Sequence, residues 1–181
     1  MLVVLDLETT GLSPRGDDIL EIGAIALEPG TDLVRARFQR CLARQKADAD
    51  ISAYVRKMHT DNGLWAACAR SELFQYQADW QLADWLVSLG ATPASVILVG
   101  HSIHFDKGFI DAQLPRTSEL LSHRLRDIGA FQRTCQDWGL DVPELPEMPH
   151  RALEDCEIEL DGYLRLKGIL RELHRRANAA A

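Results

Sequence analysis

Hydrophobic and polar positions along the first forty residues predict strands. Residues 2–7, LVVLDL, form a short apolar run that fits a buried strand. Gly11 and Pro14 follow and mark a turn. Ile19 to Leu27, ILEIGAIAL, is rich in β-branched isoleucine and predicts a second strand. Glu28, Pro29 and Gly30 predict a turn after it. Val34, Ala36 and Phe38 then alternate with Arg35, Arg37 and Gln39, the period of a half-exposed strand. Three strands joined by short turns predict an antiparallel meander.

Beyond residue 70 the period changes. Leu73, Gln77, Trp80, Ala83 and Leu86 recur at helical spacing, and Gly90 closes the segment. Ser95 to Val99 reads as a buried strand ending at Gly100. His104 to Leu114 predicts a helix stopped before Pro115. Arg124 to Ile128 predicts a short strand, and Ala130 to Trp138 a helix. The proline-rich stretch from Val142 to Pro149 is a loop. A last helix carries Leu153, Cys156, Leu160, Tyr163 or Leu164, and Ile169, and its Arg- and Ala-rich end is expected to fray. Strands first, then strands alternating with helices, predict an α/β domain on a mixed sheet. No repeat or linker interrupts the chain. Its 181 residues suit one domain, 1–181, with a sizeable core.

Composition narrows the classes. Hydrophobic residues make up 46%, which excludes a disordered chain. No apolar stretch is long enough to span a bilayer, so no membrane association is expected. Met1 leads directly into the first strand with no basic region before an apolar one, so a cytoplasmic location is expected. Cys41, Cys68, Cys135 and Cys156 are scattered without a CxxC pair, which supports neither a zinc knuckle nor a disulfide framework. A net charge of −7 argues against general duplex binding, which needs a broad basic surface. It leaves room for a nuclease whose acidic site takes up cations.

The candidate chemistry lies in carboxylates. Asp6 and Glu8 are two apart on a strand, so both side chains face one side. Like charges this close in an apolar segment are costly unless a cation lies between them, or unless the strand end is solvated. Asp106 follows the strand that ends at Gly100, where α/β sheets commonly build sites. Asp155 stands near the start of the last helix, where its charge also suits the helix dipole. His150 precedes it; as a neutral imidazole it can accept a proton, and as an ordinary loop histidine it does nothing. Hydrolysis of a phosphodiester by two divalent ions needs such an oxygen-rich cage and a separate proton acceptor.

Asp6–Leu7–Glu8 with Thr9–Thr10–Gly11, Asp106 with Phe109, and His150 with Asp155 together resemble the DEDDh exonuclease family over nearly the whole chain. The resemblance implies an RNase H-like fold, a mixed five-stranded sheet flanked by helices, and removal of nucleotides from 3′ ends. The length and the short interval from Asp106 to His150 are similar to the oligoribonuclease branch, which digests very short single-stranded RNA. It implies that Asp6, Glu8 and Asp155 hold one Mg²⁺ or Mn²⁺, that Asp6 and Asp106 hold a second, and that His150 is the general base. It also implies a homodimer. Ser102 and Arg124 match positions that cap a 5′ phosphate, Leu12 a leucine wedged against a base, and His59 a histidine near the terminal nucleotide. Tyr54 stands where the family stacks a tryptophan on a base, and tyrosine offers a smaller face.

The chain also departs from that branch. Gly129 replaces a second phosphate-binding serine, and His123 a tyrosine lent by the partner protomer. HSIHF replaces NSIGQ, and Phe105–Asp106 with Gly108–Phe109 is more similar to proofreading exonucleases. A DNA exonuclease of proofreading type and a tRNA-trimming exonuclease are therefore alternatives. A non-catalytic binding module is a third, against which the intact set of five residues argues.

Overall fold

The computed structural model of the chain describes residues 1–28 and 30–179. Pro29, within the turn predicted at 28–30, lies outside them. The strands are β1 (Leu2–Thr9), β2 (Ile19–Leu27), β3 (Val34–Cys41), β4 (Val96–Gly100) and β5 (Leu121–Asp127). The helices are α1 (Ala53–Asp61), α2 (Leu64–Arg70), α3 (Gln75–Ser88), α4 (His104–Gln113), α5 (Pro115–Leu120), α6 (Ile128–Asp137) and α7 (Ala152–Ala179). Among the described residues the strands form one sheet in the order β3-β2-β1-β4-β5. β1–β2 and β2–β3 pair antiparallel, which is the predicted meander; β1–β4 and β4–β5 pair parallel. This is the mixed, RNase H-like arrangement expected from the family resemblance.

β1 is apolar because it lies mid-sheet and is covered on both faces. Val3, Leu5 and Leu7 pack with Leu82 and Leu86 of α3 and with Phe109 and Ile110 of α4. Val4 points to the other face, against Cys156, Leu160 and Tyr163 of α7. Strand alternation puts Asp6 and Glu8 on the Val4 side, so the acids replace apolar residues where β1 meets the last helix.

A glycine lets that helix approach. Gly23 pairs with Asp6 in the β1–β2 register. A Cβ on Gly23 would lie 2.3 Å from the Ala152 carbonyl carbon, which no side chain tolerates. The first turn of α7 therefore rests on bare backbone, and Asp155 comes down beside β1. Buried Leu160 contributes about 1.5–3 kcal/mol to this docking. The exposed Arg37–Glu157 pair at 2.6 Å contributes at most about 1 kcal/mol, so the apolar face sets the position of α7.

Three features differ from the pattern reading. The segment after β3, which the pattern reading leaves unassigned, holds α1 and α2. The Ser52 hydroxyl caps α1 by accepting from the Val55 N–H at 3.2 Å, and Gly63, at φ 80°, separates the two helices. His59 is the buried residue of α1, so α1 has no apolar stripe to detect. Pro115 opens α5 from its first position instead of only ending α4, and β5 starts at Leu121. The Arg- and Ala-rich end stays helical through Ala179. The four cysteines are free thiols, and no described helix is long and apolar enough to cross a membrane.

Candidate active site

Three elements deliver the acids to one cleft of about 240 Å³. Asp6 and Glu8 come from β1, Asp106 from the first turn of α4, and Asp155 from the first turn of α7. His150 lines the same cleft from the loop before α7. Glu8, His150 and Asp155 each present one atom within 4.8 Å of the others. His150 Nδ1 lies 4.0 Å from Glu8 Oε1. Asp106 is fixed by the Leu7 N–H, which donates to its Oδ1 at 3.0 Å and ties α4 to β1.

The backbone is strained at two of these positions. Ser102 and His150 both have φ 56°, a left-handed conformation that costs a non-glycine residue about 1–3 kcal/mol. The His150 loop is held from both sides. Asn62 Nδ2 donates to the Pro149 carbonyl at 3.3 Å and to the His150 carbonyl. Arg151 donates to Glu21 through Nε at 3.1 Å and Nη2 at 2.9 Å, and the Ala152 N–H donates to Glu21 at 3.0 Å. Glu21 is fully buried and sits opposite Glu8 on β2. Burial alone would raise its carboxyl, but these donors and the Cys41 thiol outweigh burial and hold it low. Sequence reasoning missed Glu21, although one acid inside a wholly apolar strand is itself a signal of a buried partner.

The cleft acids shift the other way. Burial first, then the neighbouring carboxylates Asp106 and Glu8, push Asp6 well above the carboxylate range. Burial and the charge of Asp155 push Glu8 up to about 9. Burial raises Asp106 to about 7, with the Leu7 N–H opposing, and raises Asp155 to about 6, with His150 opposing. Asp6 Oδ2 and Asp155 Oδ1 are buried without a hydrogen-bond partner among the described residues. The described ion-pair partners of Glu8 are His59 and His150, neither a permanent cation. Crowded carboxylate oxygens without protein donors fit hard divalent cations. Asp6, Glu8, Asp106 and Asp155 are the residues that would hold them.

Each of these acids binds its proton more tightly folded than unfolded, where carboxyls titrate near about 4. The folded state thus carries the extra protons, and stability falls as pH rises through the folded values of about 6 to 9. In EDTA, the melting temperature is expected to drop between about pH 5 and pH 9. With Mg²⁺ or Mn²⁺ it should stay nearly level, because a cation replaces the protons. Scanning calorimetry across that range checks it, and equal slopes with and without cation would count against a metal site.

The expected substrate contacts are distributed unevenly. Ser102 lines the cleft. Leu12 and Tyr54 are 81% and 74% exposed, on the β1–β2 loop and at the start of α1. His59 is fully buried, with Nε2 3.3 Å from the Thr9 carbonyl and 3.7 Å from Glu8 Oε2, so it sits beneath Glu8 and does not face the cleft. Burial lowers its pKa and keeps it neutral. Arg124 is exposed on edge strand β5, outside the cleft. A Cβ on Gly129 would lie 2.6 Å from His101 Nε2, so the His101 ring occupies the space a serine would need there. Two of the departures seen in the sequence, His101 and Gly129, are therefore one packed pair.

Comparison with known proteins places this geometry. Residues 3–162 match the exonuclease family RNase_T. The chain is 29% identical over 175 residues to oligoribonuclease from Nocardia farcinica, covering 91% of this chain and 80% of that one. It is 29% identical over 166 residues to oligoribonuclease from Pasteurella multocida, covering 85% of each. Among solved structures, it superposes on a zinc-bound E. coli exonuclease I–single-stranded DNA complex with a TM-score of 0.67 at 18% identity, covering 97% of this chain and 42% of that one. Exonuclease X with 5′-overhanging duplex DNA gives 0.55 at 17% identity, covering 93% and 92%. The matched segment contains all four cleft acids and His150, and the chain belongs to the RNase_T exonuclease family.

Proposed function

We propose that this protein is a divalent-metal-dependent 3′-to-5′ exoribonuclease that degrades short single-stranded RNA to mononucleotides. The observation that carries the reading is the convergence of Asp6, Glu8, Asp106, Asp155 and His150 on one cleft, in a chain similar to oligoribonucleases along most of its length. Asp6, Glu8 and Asp155 would hold one Mg²⁺ or Mn²⁺, and Asp6 with Asp106 a second. Bound there, the cations supply charge stabilisation at the phosphoryl oxygens and a nucleophile near neutral pH.

The chain's own groups do the rest. His150 takes the proton of the attacking water as the water oxygen bonds to phosphorus and the 3′ oxygen leaves. Glu8 lies 4.0 Å from His150 Nδ1, and buried His59 packs against Glu8 with its Nε2 3.7 Å from Oε2. Ser102 donates its hydroxyl to a phosphate at the cleft edge. Leu12 and Tyr54 meet bases on either side. In this reading the whole chain is one domain, it acts in the cytoplasm, and two copies form a homodimer in which Arg124 grips the 5′ phosphate of the substrate.

The test uses 5′-labelled RNA and DNA of graded length, from dinucleotides upward, with and without a 5′ phosphate, in Mg²⁺, Mn²⁺ or EDTA. Short 5′-phosphorylated RNA is expected to be cleaved fastest and EDTA to abolish cleavage. A charge-assisted bond of about 1.5–3 kcal/mol corresponds to roughly a tenfold to hundredfold preference. Arg124→Ala should flatten that preference and spare cleavage itself. A wild type that prefers long DNA would replace this reading with a DNA exonuclease on the same scaffold.

A further inference from the structure

The cleft contains a carboxylate that the four-acid pattern does not include. Glu159 lies one helical turn after Asp155 on α7, so the two share a face. It is 3% exposed. Its two oxygens have different surroundings. Oε1 accepts from the His101 N–H at 2.8 Å, which secures the end of β4. Oε2 is buried, has no partner among the described residues, and sits 3.3 Å from where a Gly100 Cβ would lie. β4 runs beside β1, so this oxygen belongs to the Asp6 end of the cleft.

Holding one backbone N–H needs one neutral acceptor, which a glutamine would supply. A carboxylate instead brings a full charge into the cleft of Asp6, Asp106 and Asp155; burial first, then the charges of Asp106 and Asp155, raise its own pKa to about 8, with the His101 N–H opposing. No lysine or arginine offsets it among the described ion pairs at the cleft. We infer that Glu159 is a fifth acidic residue of the metal centre, its Oε2 strengthening divalent-cation binding at the Asp6–Asp106 end of the cleft. Four carboxylates balance two divalent cations in charge, and the fifth leaves the filled site net negative. The consequence is tighter cation retention than the four acids alone would give.

This inference rests on the two-cation reading of the cleft, and the test separates the two. Wild type, Glu159→Gln and Glu159→Asp are stripped with EDTA, dialysed, and titrated calorimetrically with MgCl₂ and with MnCl₂, without nucleic acid. Glutamine keeps the acceptor for His101 and removes the charge; aspartate keeps the charge. Glu159→Gln is expected to bind cation about tenfold or more weakly, with Glu159→Asp closer to wild type. The rise in melting temperature on adding cation should shrink in the glutamine variant. Without metal, that variant should be at least as stable as wild type, since one of several clustered charges is gone. Equal affinity of Glu159→Gln and wild type overturns the inference, as does equal loss in both variants or a destabilised metal-free Glu159→Gln. If wild type binds no divalent cation, the cleft reading itself falls, and the inference with it.

Discussion

Asp6→Ala is expected to abolish hydrolysis while leaving the metal-free protein as stable as wild type or more so. Asp6 is the acid assigned to both cations, and metal ions contribute several kcal/mol of transition-state stabilisation. At 1.4 kcal/mol per factor of ten, the loss is about a thousandfold or more. Stability moves the other way because burial and the carboxylates around Asp6 make its charge a burden on the empty cleft. Turnover of short RNA, read beside the melting temperature in EDTA, checks both halves. A folded Asp6→Ala protein with wild-type turnover would remove the cleft from catalysis.

His150→Ala should lower turnover by about 10²–10⁴-fold and change substrate affinity little. The loop is expected to survive the substitution. Its supports, Asn62 and the Arg151–Glu21 pair, engage backbone carbonyls and neighbouring side chains, not the imidazole. Alanine keeps the Cβ, so the strain at φ 56° is unchanged. Single-turnover rates separate this loss from any change in binding, and added imidazole should restore part of the rate. Full activity in the variant would return His150 to the status of a loop histidine.

Much of this architecture can be read from local pattern. β1, β2 and β3 carry their period in apolar residues, and the i, i+2 placement of Asp6 and Glu8 already puts both on one face. α4 and α7 are amphipathic, and their first turns carry Asp106 and Asp155. What escaped the reading depends on packing across the sheet. α1 buries His59 and has no stripe, so periodicity passes over it. The position of His59 beneath Glu8 is set by where α1 docks, which no spacing encodes. The left-handed backbone of Ser102 and His150, and the contact between His101 and Gly129, are tertiary in the same sense. Glu159 was open to detection, because a residue four after Asp155 on a helix shares its face.

The close seat of α7 on Gly23 bears on when the cleft comes into being. The three-stranded meander is built from local contacts, the kind that form early. It emerges from the ribosome ahead of α7, which follows every strand in the chain. Until α7 settles on Gly23, Asp155 and Glu159 are far from Asp6 and Glu8, and the acids on β1 face water. A chain that ends before α7 therefore lacks Asp155 and Glu159 and holds only part of the acidic set. The cleft is therefore complete only once α7 has docked, and the bare backbone at Gly23 is what permits that docking.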